Sequence, residues 1–315
     1  VPRDAIRLST ADERILGLAD RLWERAPVPA SRESSLPSAL NFSIDVASAA
    51  SAGGSPEPPR RAERWTVGSN DIDLAIGDEL HGRIDLGRRA MVARVSDDLV
   101  TSDPSLVARL LLETPVAVLL ARRAYGVLHA GAVVGPAGAL VIRGAAGAGK
   151  STLIGAAYRA GLGVLGDETV LVARHDPDEL LAAVRDLTLL PDATRLLGLE
   201  AAVTPATNGH EPKHRVDLFS GSTPAQRRGR RVATVLLGDW KGGPARLERL
   251  APEEFLRRFD EGAIPQEQWS GTPPEIAASW ASGSGAYRLT GAADLAGAIR
   301  LLGGLVGLAR VERPT

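Results

Sequence analysis

The spacing of apolar and polar residues changes several times along the chain, and each change predicts an element boundary. From Ala11 to Arg25 the apolar residues Ile15, Leu16, Leu18, Leu22 and Trp23 recur at helical intervals among charged ones, which predicts an amphipathic helix. Periodicity then stops in a stretch rich in Ala, Ser, Gly and Pro, which predicts a flexible segment at residues 46–60. Strand character returns at Arg64 to Val67, Ile72 to Ile76 and Arg83 to Val95, between Gly and Asp turns. Ser105 to Glu113 and Pro115 to Arg123 read as two helices, the second with Thr114 as N-cap and Pro115 in its first turn.

A different rhythm begins near Tyr125. Val127 to Val134 and Ala139 to Arg143 read as strands joined by the turn Gly135-Pro136-Ala137-Gly138. A Gly-rich loop, a helix to Gly161 and a strand from Gly163 to Gly166 follow. Alternating strand, helix and strand is the α/β signature. Further on, Arg231 to Leu237 has the composition of an interior strand. Pro252 to Asp260 and Ala292 to Leu308 have helical patterns, the last with Thr290 as a candidate cap. The expected organisation is a smaller mixed α+β region over residues 1–120 and an α/β core over residues 121–315.

The loop between the second strand and the helix is Gly144-Ala145-Ala146-Gly147-Ala148-Gly149-Lys150-Ser151, followed by Thr152. Gly, four residues, then Gly-Lys-Ser, between a strand and a helix, is the pattern of a phosphate-binding loop. Its glycines let successive backbone N–H groups turn inward around phosphate oxygens, and the following helix offers its first N–H groups to the same anion. Residues 144–152 are therefore the expected nucleotide-binding segment, with Lys150 on the outer phosphates and Ser151 as an Mg²⁺ ligand. The chain has three lysines against thirty-four arginines, so lysine at this position stands out. A compact ammonium serves there where a guanidinium would not.

Composition narrows the chemistry. A net charge of −1 gives no basic excess, so nucleic acid is not an expected partner. Cysteine is absent, which removes disulfides, thiol catalysis and thiolate metal sites. With no uninterrupted apolar run of membrane-spanning length and no signal-peptide pattern, a cytoplasmic protein without a membrane partner is expected.

Phosphoryl transfer needs a carboxylate for Mg²⁺ and a group to orient or deprotonate the acceptor. Asp167-Glu168 follows an apolar strand one helix beyond Lys150, and a single right-handed crossover would place the two strand ends side by side. An ordinary acidic turn is the other reading of this pair. Two basic clusters lie downstream: Lys213-His214-Arg215, of which Lys213 and Arg215 are candidate phosphate or substrate contacts, and Arg227-Arg228-Gly229-Arg230-Arg231. A solvated loop is the commoner meaning of such runs.

His129-Ala-Gly-Ala-Val-Val, Gly138-Ala-Leu-Val-Ile-Arg-Gly, Gly149-Lys-Ser-Thr and Gly166-Asp167-Glu168 together resemble the HPr kinase family. More closely, they resemble its shorter relatives, some of which are peptide-tailoring kinases of lasso-peptide pathways. The similarity covers about Leu128 to Val172. It rests on a histidine ahead of the loop, the strand–turn–strand entry, and an acidic pair placed soon after the loop helix. It implies a P-loop kinase core of the HPr kinase/phosphoenolpyruvate carboxykinase type and ATP-dependent phosphorylation of a serine. By position it implies Lys150 at the β/γ-phosphates and Ser151 and Asp167 at Mg²⁺, with His129 near the transferred phosphate. Glu168 stands where the family commonly has a second aspartate acting as base, which leaves that role between Glu168 and Asp167. The segment that serves HPr recognition and the reverse reaction is not found downstream.

The expected function is thus transfer of the γ-phosphoryl group of ATP, with Mg²⁺, to a serine of a peptide or small protein. A small-molecule kinase and a nucleotide-binding regulator without transfer are the alternatives. Family members often form oligomers, though no interface pattern is legible in this chain.

Overall fold

A computed structural model of the chain describes residues 6–23, 40–47, 63–121, 125–182, 186–199, 203–207, 212–217, 228–239, 243–263, 267, 274–283 and 285–308. The segment expected to be flexible lies almost wholly outside the described residues. The chain divides into two compact units: Val1–Leu120 with Ala206–Pro212, and Ala121–Pro205 with Lys213–Thr315. Each unit mixes helices and sheets, so the protein is of the α/β kind.

The first unit is built on strands β1 (Ile6–Ser9), β2 (Leu40–Ala47), β3 (Glu63–Val67), β4 (Asp71–Ile76), β5 (Leu80–Asp85) and β6 (Ala90–Ser96), in the spatial order β1-β2-β6-β5-β4-β3. β4 and β5 alternate between buried and more exposed positions, and Ile72, Leu74, Ile76, Leu80 and Ile84 supply the buried face. The expected stretch Arg83 to Val95 is in fact parts of two strands, turned at residues 86–89 where Arg89 takes φ 55°. Helix α1 (Glu13–Trp23) buries Ile15, Leu18 and Ala19, while Leu16 faces outward. Asp12 accepts the Arg14 and Ile15 N–H groups at its start.

A short helix α2 (Asp97–Ser102) precedes α3 (Pro104–Ala121), which is one continuous helix where two were expected. Its cap is Asp103, whose carboxylate accepts the Leu106 N–H at 3.0 Å, and Pro104 stands in its first turn. Thr114 is therefore no cap. The helix passes through Pro115 because its turn widens over Arg109–Glu113, which makes room for a proline ring that would otherwise meet the carbonyl four residues back. By length and composition α3 is apolar enough to cross a membrane; Leu106, Val107 and Leu110 to Leu112 are buried, with Leu111 against Gly82 of the sheet.

The second unit contains β7 (Tyr125–Leu128), β8 (Gly131–Gly135), β9 (Gly138–Arg143), α4 (Lys150–Arg159), β10 (Gly163–Gly166), β11 (Val170–Ala173), β12 (Glu179–Ala182) and β13 (Asp186–Leu189). After these come α5 (Pro191–Leu196), β14 (Val203–Thr207) and β15 (Pro212–Asp217), of which Ala206, Thr207 and Pro212 are counted with the first unit, then β16 (Arg228–Leu237), β17 (Arg246–Arg249), α6 (Pro252–Phe259), α7 (Pro274–Ser282), β18 (Ala286–Thr290) and α8 (Leu295–Leu305). β16 organises them. Its first residues pair with β12 and so with the β12-β11-β7 strands, whereas its later ones lie parallel to β9 on one side and to β18 on the other.

Successive residues of β9 alternate between two apolar layers. Leu140 and Ile142 pack with Leu153, Ile154 and Ala157 of α4 and with Ala298, Ile299 and Leu302 of α8. Ala139 and Val141 face Phe255 and Phe259 of α6 and Ile276 and Trp280 of α7. Each buried Leu, Ile, Val or Phe side chain among these contributes about 1.5–3 kcal/mol. α8 starts later than its pattern suggests: the Asp294 carboxylate accepts the Gly297 N–H at 2.9 Å and caps it, rather than Thr290.

Two expectations about strand order need correction. The apolar run Val127 to Val134 is broken at His129-Ala130, with β7 going to β11 and β8 to β9 and β10. β9 and β10 are not neighbours either, because β8 lies between them, antiparallel to both.

Candidate phosphate-loop site

That arrangement gathers the candidate residues at one edge of the sheet. Gly131 at the start of β8 is opposite Ile142, and Ala132 is opposite Gly166. The His129 bend, the loop after Arg143 and the Asp167-Glu168 pair after Gly166 therefore all leave the sheet at the same end. The sequence brings His129, Lys150, Asp167 and Glu168 together, though His129 sits in the bend between two strands and not within one.

Residues 144–149 form the loop and Gly149 is the N-cap of α4, so Lys150, Ser151 and Thr152 are its first three helical residues. Gly147 and Gly149 have φ of 76° and 82°, in the left-handed region where an L side chain costs about 1–2 kcal/mol. The Lys150 ammonium is buried and donates to the carbonyl oxygens of Gly144 at 2.8 Å and Ala145 at 3.1 Å. Burial holds its pKa below the ordinary lysine value, against the pull of Glu168.

Asp167 and Glu168 differ sharply in surroundings. Asp167 is buried, and its Oδ2 accepts the Thr188 N–H at 2.8 Å; Glu168 is exposed. Burial pushes the Asp167 carboxyl up to about 7, with Glu168 adding to the rise and the Thr188 N–H and the Lys213 charge opposing it. Lys213 reaches this influence through β15, which pairs with β13 so that Arg215 is opposite Thr188. Lys213 and Arg215 thus belong to the strand pair beside Asp167.

His129 is half-buried, and its Nδ1 lies buried without a hydrogen-bond partner among the described residues. Burial first, and Lys150 second, lower its pKa, so the neutral imidazole is favoured.

Sequence reasoning missed the group that holds this edge together. Arg143, fully buried, forms a bidentate pair with Glu267, Nη1 to Oε1 at 2.7 Å and Nη2 to Oε2 at 2.9 Å. Its Nε donates to the Phe259 carbonyl at 2.6 Å, and its guanidinium lies 4.2 Å from the Phe259 ring centre. The carboxylate of Glu267 also accepts the His129 N–H at 2.6 Å. Gly262 completes the contact: a Cβ there would come within 3.1 Å of the Gly144 carbonyl oxygen. An arginine at the end of the strand entering the loop was the available signal, but nothing in the sequence names its partner.

The second basic cluster has a structural role. Arg228 pairs with Glu179, Arg230 with Asp176, and Arg231 with Asp178 at 2.8 Å while stacking 4.8 Å from the Trp280 ring centre. Arg227 lies outside the described residues.

Among the described residues no group of three or more His, Asp or Glu side chains is arranged to hold a metal by itself. Mg²⁺ in phosphate sites usually takes one or two protein ligands together with phosphate oxygens and water, so one buried carboxylate and a nearby hydroxyl are a sufficient protein contribution. Asp167 fits such a cation, because it is a buried carboxyl at the same end of the sheet as the loop that leads into Ser151. No protein-family model matches the chain, and no curated protein matches its sequence.

Proposed function

We propose that this protein is an ATP- and Mg²⁺-dependent kinase with a P-loop core of the HPr kinase type, and that it phosphorylates a serine hydroxyl of a peptide or small protein. One observation carries the reading: a phosphate-loop sequence with left-handed Gly147 and Gly149 shares a sheet edge with a buried aspartate and an exposed glutamate. The resemblance of Leu128 to Val172 to HPr kinases supports the same assignment.

On this reading the backbone N–H groups of residues 144–152 cradle the phosphates, and Lys150 leaves its carbonyl partners to follow the β- and γ-oxygens. Ser151 and Asp167 are the residues that would hold Mg²⁺, which when bound neutralises charge on those oxygens. Burial separates the two acidic roles: Asp167 serves the cation, and Glu168, open to the acceptor side, takes the serine proton. The serine oxygen forms its bond to the γ-phosphorus as the bond to the β–γ bridging oxygen breaks. ADP leaves with that oxygen, and the proton passes to Glu168. His129, neutral, offers a nitrogen near the transferred group. Positioning and charge neutralisation supply most of the rate.

Intact-mass spectrometry tests the proposal: serine-containing peptides encoded beside this protein are incubated with it, ATP and Mg²⁺, next to the Lys150→Ala variant. A phosphate-sized mass gain that requires Lys150 is expected. Nucleotide binding with no gain on any peptide would assign the site to a small-molecule acceptor or to regulation without transfer.

A further inference from the structure

β9, β16 and β18 run parallel, so their carboxyl ends leave the sheet together; Arg143 is in register with Leu236, and Leu236 with Arg288. The phosphate loop follows the first strand, Gly238 and Asp239 follow the second, and Gly291 follows the third. Ligands of open α/β sheets collect outside such ends. Arg288 stands two strands from Arg143, about 10 Å by ordinary strand spacing.

Among the described residues the Arg288 guanidinium makes no hydrogen bond or ion pair, and its Nε is buried without a partner. Arg288 is half-buried, so the cost of burying an unpaired donor falls on this one N–H and not on the whole guanidinium. Arg143 is by contrast paired through both Nη atoms with a carboxylate and lies over an aromatic ring, while Arg231, paired with Asp178 over Trp280, keeps one buried nitrogen, Nη1, without a partner among the described residues. The Arg288 guanidinium lies over the bare backbone of Gly238: a Cβ there would be 2.7 Å from its Nε and 3.1 Å from its Nη2. The preceding residue, Leu237, abuts the loop, since a Cβ on Gly144 would be 3.0 Å from its Cβ. Leu237 belongs to the layer of α4 and α8, whereas Leu236 and Ala286, on the same strand faces as Gly238 and Arg288, belong to the layer of α6 and α7, so the loop and Arg288 share the carboxyl end of the sheet and not one face of it. Asp239, at that end, has an exposed carboxylate with no partner among the described residues, and its carbonyl accepts the Gly291 N–H at 3.0 Å, which ties the two strand ends together.

We propose that Arg288 and Asp239 form a subsite for the nucleoside half of the nucleotide whose phosphates occupy residues 144–152. The guanidinium supplies a flat, permanently charged face and donors for the base. The carboxylate accepts hydrogen bonds from ribose hydroxyls. The proposal rests on the phosphate-loop reading above and adds to it the residues that tell a nucleotide from a bare polyphosphate.

Calorimetric titrations with ATP and with inorganic triphosphate test it, on the full chain and on Lys150→Ala, Arg288→Ala, Arg288→Gln and Asp239→Asn, each checked for native circular dichroism. Arg288→Ala and Asp239→Asn are expected to weaken ATP about tenfold and leave triphosphate unchanged. Lys150→Ala weakens both ligands. ATP affinity unchanged in the Arg288 and Asp239 variants overturns the subsite. Equal loss of ATP and triphosphate on removing Arg288 makes it a phosphate ligand and overturns the nucleoside assignment. Unchanged affinities in Lys150→Ala would instead count against the phosphate-loop reading, so the two failures are separable. Asp239 is exposed, so its variant keeps the test open if Arg288 variants do not fold.

Discussion

Glu267 Oε1 receives two donors at once, the Arg143 Nη1–H at 2.7 Å and the His129 N–H at 2.6 Å. One buried carboxylate thereby fixes both the strand that enters the phosphate loop and the bend that carries the histidine. Removing one member of a buried pair strands the other, at a cost of about 3–5 kcal/mol. Glu267→Ala is expected to lower stability by that order in urea unfolding and to weaken ATP binding. Glu267→Gln, which retains an acceptor for His129, should recover part of both.

Asp167 gives a pH dependence of unusual sign for a carboxylate. Its folded pKa is raised to about 7 from 3.8, so between those values the folded state binds the extra proton. Stability from this group is present at low pH and is lost as pH rises toward 7. His129 works the other way, because its lowered pKa costs stability as pH falls below 6.5. Asp167→Asn should therefore raise the melting temperature at pH 8 by several degrees, with the gain vanishing near pH 4 and Mg²⁺-dependent turnover lost at every pH. A melting temperature unchanged at pH 8 would show that Asp167 is not strained by burial.

The arginines of β16 should respond unequally. Arg230 is largely exposed and its partner Asp176 partly so, and Arg230→Ala is expected to change stability by less than about 1 kcal/mol. Arg231 is buried on the Trp280 ring, and Arg231→Ala removes packing as well as charge, for an expected loss of about 2 kcal/mol or more by thermal unfolding. Neither change should alter ATP affinity if the cluster is structural.

Gly149 bears the left-handed backbone at the start of α4. Gly149→Ala should cost about 1–2 kcal/mol of stability. Its larger effect should be on ATP affinity, read by calorimetry, because on the proposed function the loop backbone at this position holds the phosphates.

Legibility in the sequence followed distance along the chain. The loop, its helix and Asp167-Glu168 were readable because strand, Gly-rich turn and helix are encoded within one short stretch. The break at His129 was not: apart from His129 itself, Val127 to Val134 is apolar or glycine, and a lone histidine is compatible with an unbroken strand, so only the pairing of β7 with β11 and of β8 with β9 and β10 shows where the chain bends. α3 was misread because Thr114-Pro115 is a sound local start signal, overridden by a widened turn that a burial-driven helix tolerates. Glu267 was invisible because it comes from a segment without periodicity and meets Arg143 only through the tertiary fold.

β16 also sets when the site can exist. The phosphate-loop strand finds its parallel neighbour only through pairs such as Val141 with Thr234, and that neighbour is made late in synthesis. Closing so long a loop precedes any reward from the pairing, which makes this step slow. A nascent chain that ends before residue 228 carries the whole phosphate-loop signature and β8, yet lacks both the parallel strand beside β9 and the Glu267 that anchors its entry. On the proposed function, nucleotide capture would report completion of the second unit, and ATP added to a refolding reaction should act on the last step and leave the earlier ones unchanged.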